Sequence, residues 1–385
     1  MTGRGQLVVM DETERNPSPP PGFLEAEKTL GADRIGETVF SRHWVFQCLL
    51  NALKAAENES ANGEADMEEV VELDREVEQE LCTLWDMAAN SDVARFLHEF
   101  KAFEIFLQII KTSRSPRLVE ILVGILGNMA VFPDLSLALS QEDSMLQMVL
   151  QLLGGSDAPT LLQLLRLCHT CLANRESLPL WLAAIRGADS CLPHITFILG
   201  NSINEELLKV CFQVLDCVVD EDPSLCSYCV NEEFVTAVFA AAGHLSAMEK
   251  QEFLDAFWHL LHVLDYETDI RDMLVPWRDK LETLLFDWLQ GQGQESPTLP
   301  PRSCWRTLGT GLTLVTDLRD ASRASASQPL ARDLCRRLQE MYQLLQSRLQ
   351  EAQAEERLGL PRTDSLDDSF HLLNNALERA LNPSL

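Results

Sequence analysis

The chain has 385 residues, with 59 Asp+Glu against 31 Lys+Arg and a formal net charge of −28. That excess argues against nucleic-acid backbone or an anionic membrane surface as the main ligand, because both are bound through clustered cations. A hydrophobic share of 46% excludes wholesale disorder, and abundant leucine beside only three tyrosines favours helix over sheet.

Residues 1–35 read as a disordered tail, proline-rich at Pro17 and Pro19–Pro21. The apolar run Leu7–Met10 stops at Asp11 and Glu12, too short for a secretory signal. No stretch approaches the roughly 18–20 apolar residues of a membrane span. The expected location is therefore nucleus or cytoplasm, not secreted. Eleven cysteines scattered through apolar segments fit the same compartments as reduced thiols.

A solenoid is expected over residues 36–290. Ser41 is positioned to cap a first helix that carries Leu49, Leu50 and Leu53. Residues 57–67 read as an acidic loop, and the next helix sets Val70, Val77, Leu81 and Leu84 on one face. Residues 57–80 hold eleven acids and a single base, Arg75, so −10 of the net charge is concentrated there.

Five segments then align: 84–97, 126–139, 168–181, 214–227 and 260–273. Each is the end of an apolar helix, a polar turn and a new apolar segment. Their anchor residues are Asp86, Asn128, Thr170, Asp216 and His262, spaced by 42, 42, 46 and 46. Such a period, roughly 40–47 residues, is that of armadillo and HEAT units. Polar breaks at 113–117, 154–159, 200–206 and 243–252 separate the units. The fold class expected is all-α, an armadillo/HEAT-like right-handed α-solenoid. One unit cannot bury its apolar face alone, so neighbours must stack.

Residues 291–303 read as a linker rich in Gly, Gln and Pro. Beyond it, residues 304–385 should form helices that cap the solenoid. Leu334, Leu338, Met341, Leu345 and Leu349 mark a long amphipathic helix, and Phe370, Leu373, Leu377 and Leu381 a last one over 367–381. Ser18 and Ser365 are candidate phosphorylation sites; Ser365 is equally placed to cap that last helix.

Three stretches, 33–46, 72–100 and 115–132, resemble the serum amyloid A-like, or synoviocyte proliferation-associated, protein family. They include LWDM followed by DVARFLHEF, and GILGNMA. The likeness continues through 156–172 and covers about 140 residues of the first half. The resemblance implies an armadillo-like fold, no known enzymatic activity, a part in promoting cell proliferation, and nuclear residence. It does not imply the lipid-binding serum amyloid fold.

Motifs for chemistry are weak. Cys168/Cys171 and Cys226/Cys229 are CxxC pairs 54 residues apart. Zinc modules separate such pairs by about 15–20 residues. Core cysteines are the better reading, with metal or redox chemistry as the alternatives. His259 and His262 lack the glutamate of a metalloprotease helix. Gly309-Thr310-Gly311 lacks the third glycine of a dinucleotide loop. No metal, no cofactor and no catalytic residue is assigned.

The function expected is a non-enzymatic protein-interaction scaffold. Its concave groove would be lined by Asp86, Asn128, Thr170, Asp216, Trp258 and His262. Asn128 stands where armadillo units offer a carboxamide to an extended peptide; a structural, turn-side hydrogen bond is the alternative. Acidic anchors favour a basic protein partner, bound by a monomer. A second reading makes residues 57–80 an acidic chaperone-like module for basic nuclear proteins.

Overall fold

The computed structural model describes residues 33–61, 71–245, 250–291, 305–321, 332–357 and 368–381. Among these, regular structure is helical, apart from one isolated bridge between Arg34 and Ser41. Residues 1–32 of the tail, 292–303 of the linker, Ser18 and Ser365 lie outside the described residues; the tail's last residues are corrected, since Asp33 accepts from the His43 amide and Ile35 is buried.

The polar breaks start helices because their side chains supply the hydrogen bonds that a first turn lacks. Ser41 Oγ accepts from the Trp44 amide, 3.0 Å, and opens α1, Arg42–Ala61. Asp74 accepts from Glu76 and Val77 and opens α2, Arg75–Met87. Three triples follow. The first is α3 (Ser91–Glu99), α4 (Ala102–Thr112) and α5 (Pro116–Ala130). The second is α6 (Pro133–Ser140), α7 (Asp143–Leu152) and α8 (Ala158–Leu172). The third is α9 (Leu178–Gly187), α10 (Cys191–Asn201) and α11 (Glu205–Glu221). Ser115, Asp157 and Asn204 cap α5, α8 and α11, the last helix of each triple.

A fourth unit replaces the first helix by a 3-10 segment, Pro223–Cys229, before α12 (Glu232–His244) and α13 (Lys250–Glu267). A fifth comprises α14 (Arg271–Leu274), a 3-10 turn at Val275–Trp277, α15 (Arg278–Gly291) and α16 (Trp305–Ala321). The chain ends in α17 (Arg332–Arg357) and α18 (Asp368–Leu381).

The last helices of successive units stack as one row, α2–α5–α8–α11–α13–α16–α18. A second row holds α1, α4 and α7, and further along α10 against α12. Helix α16 takes the next place in the first row, packed on α13 and on α18. The close approach to α18 depends on Gly309, inside α16: a Cβ there would lie 2.9 Å from Leu372 Cγ and 3.2 Å from the Leu373 amide. The Gly-Thr-Gly string is thus a packing device.

The sequence period reappears as bonds between neighbouring units. Arg117 pairs with Glu78, Asn128 donates to the Trp85 carbonyl and Thr160 to that of Pro116. Asn174 donates to the Pro133 carbonyl, Trp181 to Ser140, and Lys280 to the Phe239 carbonyl. All join residues 39 to 44 apart.

A second expected boundary is also corrected. The acidic loop over 57–67 does not start at 57, since α1 runs to Ala61. Its side chain Glu59 is only 6% exposed and accepts from Ser113 Oγ and the Arg114 amide. The C-terminal pattern holds where it is described: Leu334, Leu338, Met341, Leu345, Phe370, Leu373 and Leu377 are buried, and Leu381 packs partly against them.

Candidate protein-binding groove

The six residues expected to line a groove are not equivalent in space. Asp86 and His262 are exposed, and Asn128, Thr170 and Asp216 are half-buried. Trp258 is corrected: at 1% exposure it belongs to the core, its ring 5.1 Å from that of Phe257. A tryptophan on a helix with Phe253, Phe257 and Leu261 is drawn inside by the area it buries.

An open cleft of about 380 Å³ runs across α5, α8 and α11, and Asn128 and Thr170 both line it. Asp86, Asp216, Trp258 and His262 are not among its walls. Asn128 Nδ2 donates to the Trp85 carbonyl at 2.8 Å, which ties α5 to α2. The side-chain bond of Asn128 is therefore structural, and it leads to the neighbouring unit. Thr170 Oγ1 donates back to the Arg166 carbonyl, 2.9 Å.

Sequence reasoning missed Gln163, Arg166, Lys209 and Gln213, which line the walls together with His169 and Glu206. Gln163 and Lys209 stand seven residues before the anchors Thr170 and Asp216, two helical turns away on the same face. Counting back from each anchor would have found them. Arg166 forms an ion pair with Glu206 across α8 and α11. Trp85 fills the place four residues before Asn128, where Gly124 has no side chain. A Cβ on Gly124 would lie 2.1 Å from Trp85 Cζ2.

Asp216 is engaged elsewhere: its Oδ1 lies 2.6 Å from Nδ1 of His259, on α13, with Asp220 3.8 Å from Nε2. The Asp216 bond holds the His259 imidazolium above the ordinary histidine range, against burial and the nearby Arg306. Burial also lifts the Asp216 carboxyl. His262 moves the other way, lowered by burial and by repulsion from His259. The stability from His259 is thus complete below about pH 6.5 and is lost as pH rises through its higher folded value. That from His262 is complete above about pH 6.5 and is lost as pH falls through its lower one. NMR titration should find His259 charged to higher pH than His262, with Asp216→Asn lowering His259. The reverse order would refute the pairing.

Cys168, Cys171, Cys226 and Cys229 are buried free thiols. Burial pushes Cys171 up to about 11 and Cys229 up to about 12, so the thiolate needed by a nucleophile or metal ligand is disfavoured. Among the described residues, no group of three or more His, Cys, Asp or Glu is placed to hold a metal ion. No described helix is long and apolar enough to cross a membrane.

A family model described as the SAAL1 C-terminal domain matches residues 191–285. Protein saal1 of Danio rerio is 35% identical over 349 residues, covering 85% of this chain and 73% of that protein. Protein SAAL1 of Homo sapiens is 34% identical over 396 residues, covering 93% of this chain and 83% of that protein. Protein SAAL1 of Mus musculus reaches 44% over 216 residues, with 55% and 46% covered. The match to 191–285 lies beyond the segments that carried the resemblance in the sequence. With the likeness now running through both halves of the helical array, the chain belongs to the SAAL1 family.

Proposed function

We propose that the chain is a non-enzymatic helical-repeat scaffold that holds an extended protein segment across α5, α8 and α11. The observation that carries this is one cleft on three successive helices, with the carboxamides of Gln163 and Gln213 in its walls. A carboxamide both donates and accepts, so it can bond the N–H and C=O of a peptide backbone whatever its sequence. Neither makes a side-chain hydrogen bond within the described residues. Trp85 adds an apolar platform at one end. A surplus of 59 acids over 31 bases steers a basic partner towards the molecule. A role in promoting cell proliferation, in nucleus or cytoplasm, is part of the same reading and rests on family membership.

The groove is preferred over the acidic segment 57–80 because several of its acids already have structural partners. Glu59 is buried, Asp74 caps α2, Glu78 pairs with Arg117, and Glu80 accepts from Asn51. The test compares two variants by quantitative affinity capture and mass spectrometry. Gln163→Ala with Gln213→Ala removes two donor–acceptor pairs at about 1 kcal/mol per bond, lowering affinity on the order of a hundredfold or more. Glu64→Gln with Asp66→Asn, Glu68→Gln and Glu69→Gln should leave the partner set intact. The opposite pattern would move the function to the acidic run.

A further inference from the structure

We infer that the groove between α10 and α12 is a second docking surface, and that it takes an arginine-bearing protein segment. It lies on the other row of helices from the carboxamide cleft, so it stands or falls separately from the function proposed above. It also lies within residues 191–285, the part that the SAAL1 C-terminal domain model matches.

The groove is open and measures about 400 Å³. Space is left for an occupant because Gly200, Ala237 and Ala240, which line it, offer little side chain. A Cβ on Gly200 would already touch that of Ala237 at 3.4 Å. One wall is Phe197, 63% exposed on α10. Two other exposed phenylalanines, Phe46 and Phe100, lie against each other with ring centroids 6.2 Å apart. Phe197 has neither a ring nor a cation partner among the described residues. The rim is formed by Glu232 and Glu233 in the first turn of α12. Both are exposed and without an ion pair among the described residues, and no Lys, Arg or His lines the groove.

An unused aromatic face beside two unpaired carboxylates is a receptor for a cation, and the groove's shape selects which. A guanidinium is planar: it stacks on the phenylalanine face while its N–H fork meets a carboxylate. Its methylene stem lies along the alanine side chains, with apolar area removed from water. A lysine ammonium is a compact, strongly hydrated charge and gains less from the ring. Phosphate backbones and anionic headgroups are repelled by the rim. The occupant is therefore a protein segment that presents arginine next to an apolar side chain.

The test uses the full chain and a fluorescein-labelled amphipathic peptide with arginines on one face and leucines on the other, beside a twin with lysine for arginine. Fluorescence anisotropy near physiological salt should show the arginine peptide bound at least several-fold tighter than its twin. Phe197→Ala, and separately Glu232→Gln with Glu233→Gln, should each weaken it about tenfold. Neutralising residues 64, 66, 68 and 69, or removing the Gln163 and Gln213 carboxamides, should leave it unchanged. If Phe197→Ala lowers the melting temperature, Phe197→Leu keeps the apolar wall without the ring and should show the same weakening. Groove variants that bind like the parent, equal binding of the two peptides, or a loss confined to the neutralised acidic run would each overturn the proposal.

Discussion

Trp181→Ala should cost about 3–5 kcal/mol of unfolding free energy, the range for deleting a fully buried large aromatic side chain. Trp181 is 0% exposed on α9, where it seals the joint between the second and third triples. It is also the end of a buried polar chain. Its Nε1 donates to Ser140 Oγ at 2.8 Å, and Ser140 Oγ donates to the Ser136 carbonyl at 2.7 Å. Ser136 Oγ in turn shares a hydrogen with Ser177 Oγ at 2.9 Å, on the residue before α9. Hydroxyls so deep in a helical array are tolerated because each has a partner. Trp181→Phe separates the two contributions: it keeps most of the ring and removes the donor, for about 1–2 kcal/mol. Urea denaturation followed by circular dichroism checks both. A Phe variant as unstable as the Ala variant would show that the polar chain, and not the ring's volume, holds the joint.

Glu59→Ala should be the next most damaging change, at about 2–4 kcal/mol, because it strands donors that a carboxylate satisfied. Glu59 Oε2 accepts from Ser113 Oγ at 3.0 Å and from the Arg114 amide at 2.6 Å. Its own carbonyl accepts from Arg114 Nη2, 2.6 Å. These bonds clamp the end of α1 onto the turn that precedes α5. Glu59→Gln keeps the shape without the charge and should lose roughly half as much. Glu57→Gln, two residues earlier and exposed, should fall within about 0.5 kcal/mol of the parent. Thermal melts of the three variants give the comparison. If all three melted together, the carboxylate of Glu59 would be an ordinary surface charge.

The repeat was legible in the sequence because two signals coincide. Apolar residues return every three or four positions, and each return stops at a capping residue such as Ser115, Asp157 or Asn204. Burial of the four CxxC cysteines followed from the same apolar context. What stayed hidden is whatever depends on a neighbour some forty residues away. Glu59 reads as one more acid in an acidic stretch until Ser113 and Arg114 are brought to it. Asp216 reads as a groove anchor until His259 meets it from the next unit. Alignment of the anchors marks equivalent positions, but not which turn of the helix opens onto a cleft. Gln163 and Gln213 therefore escaped notice while Trp258, in the right column, proved to be core.

The bonds between residues 39 to 44 apart join each unit only to the next. Overall curvature is then a product of small rotations, one per joint, and among the described residues no strut spans several units to correct an error. A tilt of a few degrees where Trp181 meets Ser140 is levered along the rest of the array. The distance between the two ends is thus set in the middle. A substitution at one such joint can change what the whole molecule reaches without touching any surface that binds.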